Sequence, residues 1–166
     1  MRRRCMLLIV VVMSIAMTLG LALSSQAQEK KPIVVGFIHS MSGAMSMYGI
    51  SSEAGGKIAI EEINAAGGVL GRPFKMITRD DKLNPEVGLR EAKDLLLSEK
   101  ADFLTGTISS AVALAISNYV KREKKLFIVT ISQSSSITEE NFNRYVFRID
   151  TNAVPYWGYA DRKSVV

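Results

Sequence analysis

Residues 105–117 read TGTISSAVALAIS. A strand-like run closes on Gly106, two adjacent hydroxyls follow at Ser109 and Ser110, and the chain then enters an apolar segment whose first charge is Lys121. A strand that passes through one tight turn into a charge-free helix is the repeating unit of a parallel α/β sheet. Parallel neighbours need a crossover of a dozen or more residues, and a helix buried against the sheet supplies it. The stretch therefore predicts strand, turn and buried helix, with hydroxyls at the helix N-terminus.

The same alternation extends in both directions. PIVVGFIHS (32–40) is a buried strand, and SSEAGGKIAIEEINAA (51–66) is a helix expected to turn Ala54, Ile58, Ile63 and Ala65 inward before Gly67 and Gly68 end it. PFKMITRD (73–80) alternates apolar and charged residues as an edge strand does. Asn84 before Pro85 marks a helix start, a cap side chain followed by a fixed φ, and the helix continues to about Lys100 with Leu89, Ala92, Leu95 and Leu96 at helical spacing. ADFLTGTI (101–108) is a third strand, 110–124 a third helix, LFIVTI (126–131) a fourth strand and RYVFRI (144–149) a fifth. The pattern predicts an α/β fold: a doubly wound, mainly parallel five-stranded sheet with helices on both faces. Ligands in such sheets bind outside the carboxyl ends of the strands, which singles out the loops HSMSGAMSMYG, TISS and ISQSSS.

The first 27 residues stand apart. Arg2, Arg3 and Arg4 precede an apolar run from Met6 to Leu23, and Ser25 and Ala27 form a small-x-small cleavage pattern. This is a signal peptide cut after Ala27, and it places the mature chain in the periplasm or outside the cell. The net charge of +5 owes much to it: without the leader 18 cationic and 16 acidic groups remain, and no cysteine. No basic stripe with interleaved aromatics is left to bind nucleic acid. Neither disulfides nor thiolate chemistry is available to the mature chain.

Motifs for chemistry fail on spacing. Gly43 and Gly49 are separated by five residues where a phosphate loop has four, and Ile50 and Ser51 stand where it needs lysine and Ser/Thr. A hydrolase would have to draw on Ser109 or Ser110, on His39, the only histidine, and on Asp80 or Asp81, yet no G-x-S-x-G elbow occurs. One histidine and no mature cysteine leave no transition-metal site, and no cofactor is expected. What remains is two hydroxyl-rich, uncharged strand ends, Ser109 and Ser110 in one and Ser132, Ser134, Ser135 and Ser136 in the other. One serine per helix is explained by capping. Two such loops at neighbouring strand ends point further, to hydroxyls and free helix amides forming a neutral seat for a carboxylate.

VVGFIHSMSGAMSMYG, AIEEINAAGGVLGRPFKMITRDDKLNPEVGLREAKDLL and FLTGTISSAVALAIS resemble the N-terminal lobe of type I periplasmic solute-binding proteins. Within that family the resemblance is to the branched-chain amino-acid (leucine/isoleucine/valine) receptors of ABC importers, and it covers about residues 32–150. It implies a two-lobe clamshell, a small-molecule ligand that is an amino acid or related carboxylate, and an ABC permease in the inner membrane as partner. It also implies that Ser110 donates from hydroxyl and amide to the ligand carboxylate. Ser132 offers its carbonyl to an ammonium, Ser134 contacts ligand through its hydroxyl, and Tyr48 walls the pocket. The family's amino-acid receptors often carry alanine and threonine where Ser132 and Ser134 stand, and a disulfide cysteine where Ser109 stands, so the ligand's identity stays open. Family members are about twice this length. The expectation is therefore a leader (1–27), one ligand-binding lobe (28–150) and the start of a crossover (151–166) with a non-native tail, binding ligand weakly on its own. Two other classes stay open: a ligand-sensing ectodomain with the same fold, and a secreted serine hydrolase.

Overall fold

The computed structural model describes residues 30–150. The leader read at 1–27 and the crossover read at 151–166 lie outside the described residues. Five strands form one parallel sheet: β1 (Ile33–His39), β2 (Phe74–Asp80), β3 (Phe103–Gly106), β4 (Phe127–Val129) and β5 (Val146–Arg148). Their order is β2-β1-β3-β4-β5, so the chain first steps outward and then reverses across β1. The helices are α1 (Ser46–Ala65), α2 (Pro85–Leu97) and α3 (Ser110–Glu123), with 3-10 turns at Gly43–Met45 and Ser135–Ile137. The switch in direction lies between β1 and β3, where the carboxyl ends of two strands diverge toward their helices.

Each helix has a legible local cause. Asn84 caps α2 by accepting from the amides of Glu86 (2.8 Å) and Val87 (3.1 Å) ahead of Pro85. Ser109 caps α3 by accepting from Val112 N. Lys124 closes α3 in the left-handed region, with φ of 53°. One side of the sheet is covered by α2 and α3, and there the main core forms from Val34, Ile38, Leu104, Phe127 and Val129 against Leu95, Leu96, Val112 and Ile116. Each such side chain, fully buried, contributes roughly 1.5–3 kcal/mol.

The other side corrects one expectation. α1 begins at Ser46, inside the segment expected to be loop, and Ala54, Ile58, Ile63 and Ala65 are exposed, Ile58 by 58%. The surface laid on the sheet is instead mostly small or polar, Gly49, Glu53, Gly56 and Asn64, with Ile60 as its large apolar member. Glu53 accepts from Thr78 Oγ1 at 2.7 Å, and Asn64 both donates to the Phe74 carbonyl (2.9 Å) and accepts from the Phe74 amide (2.7 Å). A Cβ on Gly56 would come within 3.2 Å of Met76 Sδ, so α1 rides close to β2. Hydrogen bonds to an edge strand, rather than apolar area, therefore set the helix's rotation. This face continues past β1 through Phe103, Thr105 and Ile128, half-buried, to Phe147, which is 56% exposed.

Candidate functional site

The carboxyl ends of β1, β3 and β4 carry the site, and its turn is built on a costly backbone. Gly106 has φ of 120° and Thr107 φ of 74°. For a β-branched residue that region is disfavoured, and it persists only where the surroundings hold it. Thr107 is wholly buried, its amide donates to the Ile38 carbonyl at 2.7 Å, and its hydroxyl meets Ser132 Oγ at 3.1 Å. Ser132 Oγ in turn donates to the Thr107 carbonyl at 3.2 Å. A short hydroxyl lattice thus ties the β3 turn to the β4 turn and aims Ile108, Ser109 and Ser110 outward.

Beyond it lies a cleft of about 390 Å³ lined by Met45, Tyr48, Ile108, Ser110, Ile131 and Gln133. Four walls are apolar or aromatic, and Tyr48 is 52% exposed at the mouth. Ser110 is the first residue of α3, where the opening amides of a helix have no partner within it and the dipole is positive. Ser110 Oγ accepts from the Ser134 amide at 3.3 Å, so its own proton is left to donate. Hydroxyl, helix amides and positive dipole converge on one rim of a cleft whose other walls are Met45, Tyr48, Ile108 and Ile131, with the polar side chain of Gln133 beside them. Such a rim suits a carboxylate whose remaining body is hydrophobic.

The residues singled out in the sequence occupy distinct places. Ser110 and Tyr48 line the cleft, and Ser134 reaches its rim through its amide. Ser109 is the α3 cap. Ser132 is completely buried with its hydroxyl bonded to Thr107, so the cleft meets its neighbours Ile131 and Gln133. Sequence reasoning missed Met45, Ile108, Ile131 and Gln133. The two isoleucines flank the hydroxyl clusters, a signal available in TGTISS and TISQSSS; Met45 depends on the earlier start of α1.

The residues that could have formed a hydrolase are not in line. His39 is fully buried, its Nδ1 accepts from the Ser40 amide at 3.0 Å, and it stacks on Phe37 with centroids 5.7 Å apart. Ser40 Oγ donates to Asp81 Oδ1 at 2.6 Å. Among the described residues no hydrogen bond joins His39 to Ser109 or Ser110, since its Nδ1 is taken by the Ser40 amide and its Nε2 has no partner, and none of the His, Cys, Asp and Glu side chains form a group able to hold a metal ion.

Burial pushes the His39 imidazole below its ordinary 6.5, against an opposing pull from the Asp81 carboxylate, and leaves its Nε2 without a hydrogen-bond partner. Unfolded chains therefore take up a proton on this residue at a pH where the folded protein has not. Stability is fully present above pH 6.5 and declines as the pH falls below it, with a slope of at most about 1.4 kcal/mol per pH unit. Because the chain has one histidine, the urea midpoint between pH 6.5 and about 5 isolates this group. The midpoint is expected to fall across that range, and His39→Gln to flatten it. Asp80 titrates lower: burial works to raise it, but hydrogen bonds from Ser42 and from the amides of Lys82 and Met41 prevail and hold it below the usual carboxylate value.

Comparison with known proteins follows the same geometry. The periplasmic binding protein family matches residues 32–159. The Leu/Ile/Val-binding protein homolog 7 of Brucella suis biovar 1 is 34% identical over 103 residues, 62% of this chain and 26% of that protein. Among solved structures, the solute binding protein of an ABC transporter from Rhodopseudomonas palustris HaA2 in complex with p-hydroxybenzoic acid has a TM-score of 0.68. It is 27% identical, over 80% of this chain and 36% of that one. A second such protein, from R. palustris BisB5 with 3,4-dihydroxy benzoic acid, shares the fold at a TM-score of 0.70, with 23% identity over 81% of this chain and 37% of that one. The chain spans about a quarter to a third of the length of the curated relatives it matches.

Proposed function

This chain belongs to the periplasmic binding protein family, and on that premise we propose that it is the N-terminal, ligand-receiving lobe of an ABC importer's solute receptor. Residues 28–150 form the lobe, 1–27 are the leader that sends it to the periplasm, and 151–166 begin the crossover. Its ligand is an amino acid or a related small carboxylate, which the receptor delivers to a permease in the inner membrane. The protein carries out no covalent chemistry of its own.

One observation carries this reading: Ser110 hydroxyl and Ser134 amide meet at 3.3 Å on the rim of a cleft whose other walls are Met45, Tyr48, Ile108, Ile131 and Gln133. A relative named for Leu, Ile and Val and one that holds p-hydroxybenzoic acid support the same chemistry, since those ligands share a carboxylate on an apolar body. Ser110 is proposed to donate to that carboxylate, Ser134 to contact the ligand through its hydroxyl, and Tyr48 to cover the ligand body. Ser109 supports Ser110 as the cap, and Ser132 holds the turn beneath while its carbonyl remains the candidate partner for an ammonium.

The lobe of residues 28–150 contacts one side of a ligand, and binding to this lobe is expected with a Kd on the order of 1 mM, or about −4 kcal/mol. Calorimetry with L-leucine and with 4-hydroxybenzoate tests this. Ser110→Ala removes a hydrogen bond to a charged group and is expected to weaken the tighter probe roughly tenfold. Unchanged affinity in that variant would overturn the assignment of Ser110, and micromolar binding would contradict the weak affinity expected of this lobe.

A further inference from the structure

Arg148 touches none of the cleft residues' hydroxyls, yet it holds the backbone that presents them. Its Nη1 donates to the Gln133 carbonyl at 3.2 Å and to the Ser134 carbonyl at 2.6 Å, and its Nη2 donates to Thr138 Oγ1 at 3.0 Å. The Gln133 carbonyl and the Ser134 amide belong to one peptide plane. In a trans peptide they point in opposite directions, so a guanidinium fixed on the carbonyl turns the N–H the other way, toward Ser110 Oγ. The second bond takes the Ser134 carbonyl, the other acceptor whose negative end would oppose a bound anion. The same loop places Gln133 in the cleft, where its side-chain amide also reaches Asp150 Oδ2 at 3.3 Å.

We propose that Arg148 is the positioning residue of the carboxylate seat: it fixes the 133–134 peptide with N–H toward the cleft and carbonyls away from it. This rests on the proposed carboxylate ligand. The work is done by the planar fork of the guanidinium, which serves three acceptors at once, so a lysine with the same charge does not replace it. Loss of the fork frees the peptide to turn its carbonyl toward Ser110, which a carboxylate feels as repulsion and a neutral amide does not.

The test uses the ¹⁵N-labelled chain as wild type, Arg148→Lys and Arg148→Met. Without ligand, both variants are expected to speed amide exchange at Ser134 and Ile137 at least tenfold while Leu104 in β3 is unaffected. With ligand, the preference for 4-hydroxybenzoate over 4-hydroxybenzamide is expected to collapse at least fivefold in both variants. A role confined to stability would lower both affinities together, and that result overturns the proposal. So does retention of the preference by Arg148→Lys, which would make charge rather than geometry the cause, and so does unchanged exchange at Ser134. If the wild-type chain binds neither probe, the carboxylate reading falls and the exchange measurements alone decide whether Arg148 holds the loop. Should Arg148→Met fail to fold, Arg148→Lys and Thr138→Val, which removes only the third bond, decide the same question.

Discussion

Gly106→Ala is expected to abolish cooperative folding of the lobe or to lower its stability by more than about 3 kcal/mol. Two independent costs fall on the added methyl. With φ of 120°, the backbone lies in a region that L residues occupy only at a cost of about 1–3 kcal/mol. A Cβ there would also sit 2.1 Å from the Ile38 carbonyl oxygen, with Ile38 C at 3.0 Å and N at 3.2 Å. These are backbone atoms of β1, an inner strand of the sheet, and cannot swing aside as a side chain would. Relief requires β3 to separate from β1, and a domain of this size has only about 5–15 kcal/mol in total to lose. Urea unfolding followed by far-UV circular dichroism checks the prediction; a midpoint within error of wild type contradicts it.

Gly49→Ala is the second substitution with a large expected effect, and it couples the fold to the site. Gly49 is the one buried residue of α1, and a Cβ on it would lie 2.2 Å from the Ser40 carbonyl oxygen and 2.9 Å from its carbon. The helix must therefore move off the end of β1, at a cost of about 1–3 kcal/mol for an overpacked contact. Met45 and Tyr48, just before it in the chain, move with it and the cleft loses two walls. Stability and ligand binding are thus expected to fall together. Gly55→Ala, where the added methyl meets nothing within 4 Å, is the matched control and should leave binding intact. Binding by Gly49→Ala equal to that of the control would contradict the placement of α1.

Much of this was legible in the chain itself, for identifiable reasons. Strands β1, β3 and β4 announced themselves as short apolar runs bounded by turn residues, because their side chains enter the core beneath α2 and α3, while β2 and β5 carry charged residues within their alternation. The edge position of β2 followed from its alternation and is where the sheet order puts it. The rotation of α1 was not legible, because its sheet-facing surface is Gly49, Glu53, Gly56 and Asn64, a pattern that hydrophobic periodicity assigns to solvent. Its start was hidden too: Met45 stands at the N-cap without a side-chain cap bond.

The site divides along the same line. Ser109 and Ser110 could be found because capping is a local property of strand, turn and helix. Ser132 as a brace for Thr107 depends on a positive φ that no pattern of β-branched residues foretells. Arg148 reads in the sequence as a polar residue in the alternation of a terminal strand. Its hold on Gln133 and Ser134 arises only when β5 pairs with β4 in the observed register.

The central claim is that the rim formed by Ser110 and Ser134 receives a carboxylate. It is tested most directly by ¹H–¹⁵N correlation spectra of the chain titrated with 4-hydroxybenzoate to a few times its millimolar Kd, with 4-hydroxybenzamide in parallel. The carboxylate is predicted to move the amide signals of Ser110, Ala111 and Ser134 in a saturable way, and the amide to move them several-fold less. Equal responses to the two probes, or shifts that leave Ser110 and Ser134 untouched, would contradict it.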